Sequence, residues 1–512
     1  MLGALLEAKA IAEAGDLEEA LRRTSDLLND DHDRPEALFI AAYCLLKQDR
    51  WAIAAALLRR AAQIAPRVAQ VWNNLGLCLA QLRQLEEAAV CLERSLEIQP
   101  EQTAALNNLA LVALNEYRLE DCIKIANRSL AIDPDQKDTL ETRGYAYLGM
   151  HDWVNGWKGY ESAVNSSKWR VTRPVGKEPY WDGSWGKTVL IRGEQGVGDE
   201  IQFGSIIPDA IKNCERVIIE CDHRLQTLFQ RTFPTATVYG TRFEKHRYWA
   251  EAEEEKIQAS ILIGSLPHLY RNSLDAFPGT PYLVCDPDRQ AQWKCLLDQR
   301  PGLKVGLAWS AGVFNTFAQR RSMRLEDFRP LFDVEGVSFV SLEYRDPRSE
   351  IKESGLPILH WKRAVERVDM EETAALISQL DLVICVTTTA ADICGALGMP
   401  AWVLVPTKPG WKWACPPGYD GRRMPWFRSL ECYRQVAEGD WTEPINQIKD
   451  RLENLSRRGL TPAGGSHRAA EQHHPQGQQA SSDHPASHQP AADQASGADG
   501  VHLQPLSLPV PV

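Results

Sequence analysis

No stretch of this chain holds the roughly 18 uninterrupted apolar residues that a membrane-spanning helix needs, so a helical integral membrane protein is not expected. The chain also lacks an excess of basic residues. Lys and Arg number 57 against 68 Asp and Glu, for a net charge of −11. That leaves little to neutralise a phosphate backbone, and a general nucleic-acid binder is not expected, although a local basic pocket for one diphosphate is compatible with it. No C-x-x-C pair occurs among the 12 cysteines. Cys44, Cys78 and Cys91 fall in helical patterns, where they act as small apolar residues. Reduced thiols and a cytoplasmic setting are therefore expected rather than a disulfide framework. The opening residues, with Glu7 and Glu13 among apolar positions at helical spacing, do not read as a secretory leader.

What is present is ordinary globular material: 512 residues, 44% hydrophobic and 24% charged, enough for two or three domains of roughly 100–200 residues each. The first strong signal is repetition. Pro66, Pro100 and Pro134 lie 34 residues apart, and each closes a similar phrase: LLRRAAQIAP, CLERSLEIQP and IANRSLAIDP. Upstream, VWNNLGLCLAQL repeats as ALNNLALVALNE. Trp72, Leu75, Gly76, Leu79, Ala88, Leu92 and Pro100 follow in an order that resembles the tetratricopeptide repeat (TPR). The resemblance implies a helix–turn–helix per unit, with small residues allowing close packing and Pro ending the second helix. Three units are clear at 35–68, 69–102 and 103–136, with atypical flanking units at 1–34 and 137–165. The expected TPR array covers 1–165 and offers a groove for a protein partner.

A Pro-containing stretch, 166–186, reads as a linker. Beyond it the pattern changes to short apolar, β-branched runs separated by helical stretches: KTVLIR, RVIIECD, ASILIG, KVGLAWS, VSFVSLE, DLVICV and PAWVLVP. Strands alternating with helices predict parallel sheets covered on both faces, in two Rossmann-like lobes at 187–285 and 286–455. The segment 461–512 has no aromatic residue, no Cys, no Ile and no Lys, and carries six of the 12 histidines. Such a composition predicts a disordered, solvated tail.

Three segments can carry chemistry. In KTVLIRGEQGVGDEI a strand runs into Gly193, Gly196 and Gly198, and a helix begins near Asp199. Glycines let a backbone approach a ligand, and a helix N-terminus favours negative charge. The same residues would also make a plain strand-to-helix turn with Asp199 as N-cap. The order G-x-x-G-x-G differs from the dinucleotide fingerprint, which argues against a dehydrogenase even though Glu220 ends the next strand. In DLVICVTTTAADICGALGMP a strand ends at Thr387, Thr388 and Thr389, which either bind a diphosphate with their hydroxyls and N–H groups or only cap the helix. In KVGLAWSAGVFNTFAQRRS a strand ends at Trp309–Ser310, and the loop beyond carries Arg320 and Arg321, either phosphate ligands or an exposed basic turn.

Together these segments, with the WKW and MPWFRS phrases after the last apolar run, resemble bacterial TPR-linked glycosyltransferases. These are similar to the heptosyltransferase group and more distantly to protein O-linked N-acetylglucosamine transferases. The resemblance implies the glycosyltransferase B fold, with the acceptor at the first lobe and a nucleotide-sugar donor mostly in the second. It implies inversion at the sugar carbon with no bound metal or cofactor, and a protein or glycan acceptor. The family's Gly-Asp pair matches Gly198–Asp199, which makes Asp199 the candidate general base. Gly196, Gly198, Trp309, Ser310, Arg321, Thr387, Thr388, Thr389 and Asp392 are the candidate donor and phosphate ligands. Two positions depart from the heptosyltransferase pattern: Thr387 stands where Asp is usual, and Asp392 where His is usual. The second departure leaves open a non-catalytic TPR adaptor with a degenerate transferase scaffold. Trp411, Trp413 and Trp426 would either pack the lobe or stack on a base or sugar.

Overall fold

The computed structural model describes residues 2–166, 170–172, 175–312, 318–366, 369–416 and 418–458. The expected disordered tail at 461–512 lies outside the described residues.

Ten helices form five antiparallel hairpins: α1 (Leu2–Glu13), α2 (Leu17–Asp30), α3 (Pro35–Lys47), α4 (Trp51–Ile64), α5 (Ala69–Gln81), α6 (Leu85–Ile98), α7 (Thr103–Asn115), α8 (Leu119–Ile132), α9 (Lys137–Gly149) and α10 (Trp153–Ser162). The 34-residue period appears in the backbone itself. Gly15, Asp49, Arg83, Tyr117 and His151, one per hairpin turn, all have positive φ, at 93°, 58°, 66°, 60° and 58°. Each sits just past the first helix of its unit, where a left-handed residue lets the chain reverse. The small residues of the motif mark close approaches. A Cβ on Gly76 would lie 2.6 Å from Leu92 Cγ, and one on Gly144 would lie 2.8 Å from the backbone of Gly159. Cys44, Cys78 and Cys91 are buried in this array, and none of the 12 cysteines is in a disulfide.

Among the described residues, ten strands follow in two parallel sheets. They are β1 (Thr188–Arg192), β2 (Arg216–Glu220), β3 (Thr237–Tyr239), β4 (Ala259–Leu262), β5 (Leu303–Ala308), β6 (Val337–Ser341), β7 (Ile358–Leu359), β8 (Leu382–Val386), β9 (Ala401–Val405) and β10 (Leu430–Arg434). The first sheet has the order β3-β2-β1-β4 and the second β10-β9-β8-β5-β6-β7. Numbered from β5, the second is the doubly wound order 3-2-1-4-5-6, whose direction reverses between β5 and β8. The first reverses between β1 and β4. β1, β8 and β9 are buried at every position, and β8 and β9 are continuous apolar runs covered on both faces.

Within the stretch expected to be a linker, the described residues Arg170 and Pro179–Trp181 pack against the fold. Pro179–Trp181 runs parallel to β4, with Trp181 N donating to Ser260 O at 2.8 Å. Trp181 is buried, and so is Arg170. The Arg170 guanidinium reaches both carboxylate oxygens of Glu194 at 3.3 and 3.2 Å, Ser265 Oγ at 2.6 Å and the carbonyl of Tyr160. Prolines and a Trp-Asp-Gly turn suggest a loop, but a buried Arg with this many partners fixes the helical array onto the first sheet.

Candidate functional site

The strand ends where ligands gather in open α/β sheets are those at the reversal points. Here they are the carboxyl ends of β1, β5 and β8, which carry the three sequence segments.

From β1 the chain passes through Gly193 and Gln195 to α11 (Val197–Gly204). Gly193 is required because Glu200 folds back under the loop; a Cβ there would lie 2.5 Å from its carboxylate. Glu200 accepts from Asp222 N at 2.9 Å and pairs with Arg242, yet burial raises its carboxyl to about 7. Gly196 is the N-cap of α11, so Asp199 stands three residues into the turn rather than at the cap. Its Oδ2 accepts from Gly196 N at 2.9 Å. Its Oδ1 touches Lys412 Nζ, which comes from the segment after β9. Lys412 lies over the rings of Phe203 and Trp411, 5.3 and 5.7 Å from their centroids. Burial lowers its ammonium to about 7, with Glu194 opposing the shift.

From β8 the chain enters the helix Thr389–Leu397. Thr388 holds the N-cap position, but its hydroxyl makes no capping bond. Thr387 is buried, and its Oγ1 has no hydrogen-bond partner among the described residues. Side-chain capping therefore does not account for the threonine run. Arg321 donates to Thr387 O at 3.2 Å. Asp392 lies in the first turn; burial drives its carboxyl well above the usual carboxylate range, and Arg321 opposes this.

The two helix N-termini meet across the sheets. A Cβ on Gly198 would lie 2.6 Å from Asp392 Oδ2 and 3.2 Å from Thr389 Oγ1. Gly196, Gly198, Asp199, Arg321, Thr387, Thr388, Thr389 and Asp392 thus converge, although they span nearly 200 residues of chain. Trp309 and Ser310, at the end of β5, are otherwise engaged. Their amides both donate to Glu343 Oε1 at 2.7 Å, and the Trp309 indole donates to Glu350 Oε2 at 2.9 Å. Glu343 is buried, and its carboxyl is pushed up by desolvation while the two amides pull it back. The amides that would greet an anion here already hold one.

Of the tryptophans after β9, Trp411 and Trp426 enter an aromatic cluster with Trp157, Tyr160 and Phe203. This cluster joins the last hairpin to both sheets, so these side chains pack the junction. A second junction lies at the α7–α8 turn. Glu116 pairs with Lys408 at 2.7 Å and Arg320 at 3.5 Å, and Cys415 N donates to Tyr117 Oη at 3.2 Å. The hairpin array thus leans on the loops that follow β5 and β9. A separate cleft of about 470 Å³ lies between the α9–α10 turn and loops near Ser273 and Tyr419; none of the converging residues lines it.

Sequence reasoning did not single out Lys412, Glu343 or Glu194. Lys412 carried the faint signal of a cation between two tryptophans, in WKW. The two glutamates looked like ordinary polar residues, because their anchoring depends on distant strand ends.

An N-terminal tandem helical array followed by a parallel-sheet α/β region is the class this architecture defines. The tetratricopeptide repeat family matches residues 69–102. Protein FlbA of Caulobacter vibrioides is 27% identical over 329 residues, which cover 59% of this chain and 52% of FlbA. The chain therefore spans about half the length of the curated relative it matches. Among solved structures, a MamA crystal structure has 18% identity and a TM-score of 0.29, covering 31% of this chain and 92% of that one. YrrB, described as a TPR protein with an unusual peptide-binding site, has 19% identity and a TM-score of 0.28, covering 32% of this chain and 84% of that one. MamA residues 41 to the end from Desulfovibrio magneticus RS-1 have 18% identity and a TM-score of 0.28, covering 32% and 90%. Among the described residues, no helix is long and apolar enough to cross a membrane.

Proposed function

We propose that the chain is a glycosyltransferase that moves a sugar from a nucleotide-sugar donor to a protein or glycan acceptor, with the TPR array presenting the acceptor or a protein partner. The observation that carries this reading is the meeting of two helix N-termini, from the first and second sheets, around Asp199, Thr387–Thr389 and Arg321. Helix N-termini and a buried cation stabilise an anion that gains charge as it leaves. In the proposed step the acceptor oxygen bonds to the sugar's anomeric carbon and its proton passes to Asp199. The carbon–oxygen bond to the diphosphate breaks, and its electron pair leaves on the phosphate oxygen. Inversion follows from attack opposite the leaving group. In this reading the two sheets are the two Rossmann-like lobes of a glycosyltransferase B fold, and catalysis uses no metal or other cofactor.

A second reading, a TPR adaptor on a transferase-like scaffold, is favoured by one specific feature. The charges of the site are spent on each other: Lys412 holds Asp199, Arg321 faces Asp392, and Glu343 holds the β5 amides. Sugar transfer by the wild-type chain separates the readings, since the adaptor predicts none, and Asp199→Asn then tests the base. The transferase predicts intact nucleotide binding and loss of sugar transfer; transfer at the wild-type rate would remove Asp199 from the base role.

A further inference from the structure

We infer that Lys412 is a second cation, beside Arg321, that receives the leaving phosphate, and that a phosphate oxygen displaces Asp199 from it. This deepens the transferase reading and rests on it.

The Arg321 guanidinium is committed to the second lobe, donating to Thr387 O and lying against Asp392. Arg170 is sealed, with 0% of its side chain exposed. Lys412 differs. Its side chain is 17% exposed and that of its partner Asp199 is 22% exposed, so a small anion reaching the pair from solvent meets both. The ion pair also joins the two sheets, since Asp199 follows β1 and Lys412 follows β9. An ammonium with three donors can exchange one oxygen partner for another without reorienting a planar fork.

Its surroundings hold it there. Phe203 and Trp411 lie beneath the ammonium and favour a cation on their faces. Trp411 is itself packed on Trp157, Tyr160 and Trp426, so the lysine stem rises from a rigid platform. Glu194 adds negative potential from the first lobe and opposes the effect of burial on the ammonium.

The exchange has a chemical consequence. While Asp199 is bound to Lys412 its Oδ1 is occupied. When a phosphate oxygen takes Lys412, Asp199 Oδ1 is released to accept the acceptor's proton, while Oδ2 keeps its bond from Gly196 N. Donor arrival and activation of the base are then one event, and the leaving oxygen's growing charge falls on the same ammonium.

The test uses the full chain with UDP, GDP and ADP as probes, without added metal, followed by titration calorimetry. The expected result is that wild type binds one of them, Lys412→Gln binds it about 10- to 100-fold more weakly, and Lys412→Arg recovers most of the loss. Wild-type binding with Lys412→Gln unchanged overturns the role of Lys412 and leaves the transferase reading standing. No binding of any probe to folded wild type removes the transferase reading and this inference with it. Because Lys412→Gln leaves Asp199 without its partner, a measurement on the unaltered protein accompanies it. Acylation of Lys412, followed by mass spectrometry at pH 8, is expected to slow at least about tenfold when the bound nucleotide covers the ammonium. Equal acylation with and without bound nucleotide overturns the inference.

Discussion

Replacing Gly198 with alanine probes the contact between the two sheets at its tightest point. The new methyl carbon would lie 2.6 Å from Asp392 Oδ2 and 3.2 Å from Thr389 Oγ1. Ordinary contact needs several tenths of an ångström more. Asp392 cannot simply swing away, because it is enclosed on a helix and faces Arg321. Overpacking of this kind costs about 1–3 kcal/mol. The helix gains at most about 1 kcal/mol from losing a glycine, and less in its first turn. A net loss of about 1–2 kcal/mol is expected, or a fall of about 2–8 °C in the melting temperature if the α/β region unfolds as one unit. The assay is thermal and urea unfolding of Gly198→Ala, Asp392→Ala and the double variant. Truncating Asp392 removes the clash, so the penalty of Gly198→Ala should largely vanish in that background, giving a coupling of about 1–2 kcal/mol. A Gly198→Ala protein as stable as wild type, or an equal loss with and without Asp392, would refute the contact.

Three further outcomes follow from the same structure. Arg170→Met strands the buried Glu194 carboxylate and should cost about 3–5 kcal/mol in urea unfolding, with Glu194→Gln partly restoring it; a loss under about 1 kcal/mol contradicts the buried network. Asp49→Gly relieves an exposed left-handed residue at a repeat turn and should raise stability by about 0.5–1 kcal/mol, whereas a loss would contradict the strain argument. Glu200, raised to about 7 when folded, binds its proton more tightly folded than unfolded. Its contribution is full below its unfolded value near 4.5 and is lost as pH rises through about 7. Glu200→Gln should therefore flatten the fall of melting temperature between pH 5 and 7.5, and an unchanged slope counts against the shift.

The repeats were legible because their information is local. Pro66, Pro100 and Pro134, with Gly76 between them, report helix ends and close packing within one period. The seven strands read from sequence were likewise legible as continuous apolar runs. Three others escaped. β3 and β7 span only three and two residues, and β10, LECYR, mixes charge with apolar positions at the sheet edge. The candidate site was half legible. Glycines and threonines at strand ends stand out from local sequence alone, and they do converge. Their partners do not stand out. Lys412 reaches Asp199 from 213 positions away, and Glu343, just beyond β6, holds the amides that follow β5. Arg170 looked like a linker residue because nothing nearby in sequence announces Glu194. Pairings made by topology leave no mark at either end until the chain is folded.

If the junction around Asp199 receives a nucleotide-activated sugar, the folded chain must bind one. The most direct measurement is a thermal-shift and calorimetric screen of the full chain against nucleoside diphosphates and their common sugar conjugates, without added metal. A ligand that binds the folded state raises its apparent stability. Saturable micromolar binding of one nucleotide sugar, kept in Asp199→Asn, is the predicted result. A well-folded protein that binds none of them would contradict the transferase account and favour the adaptor.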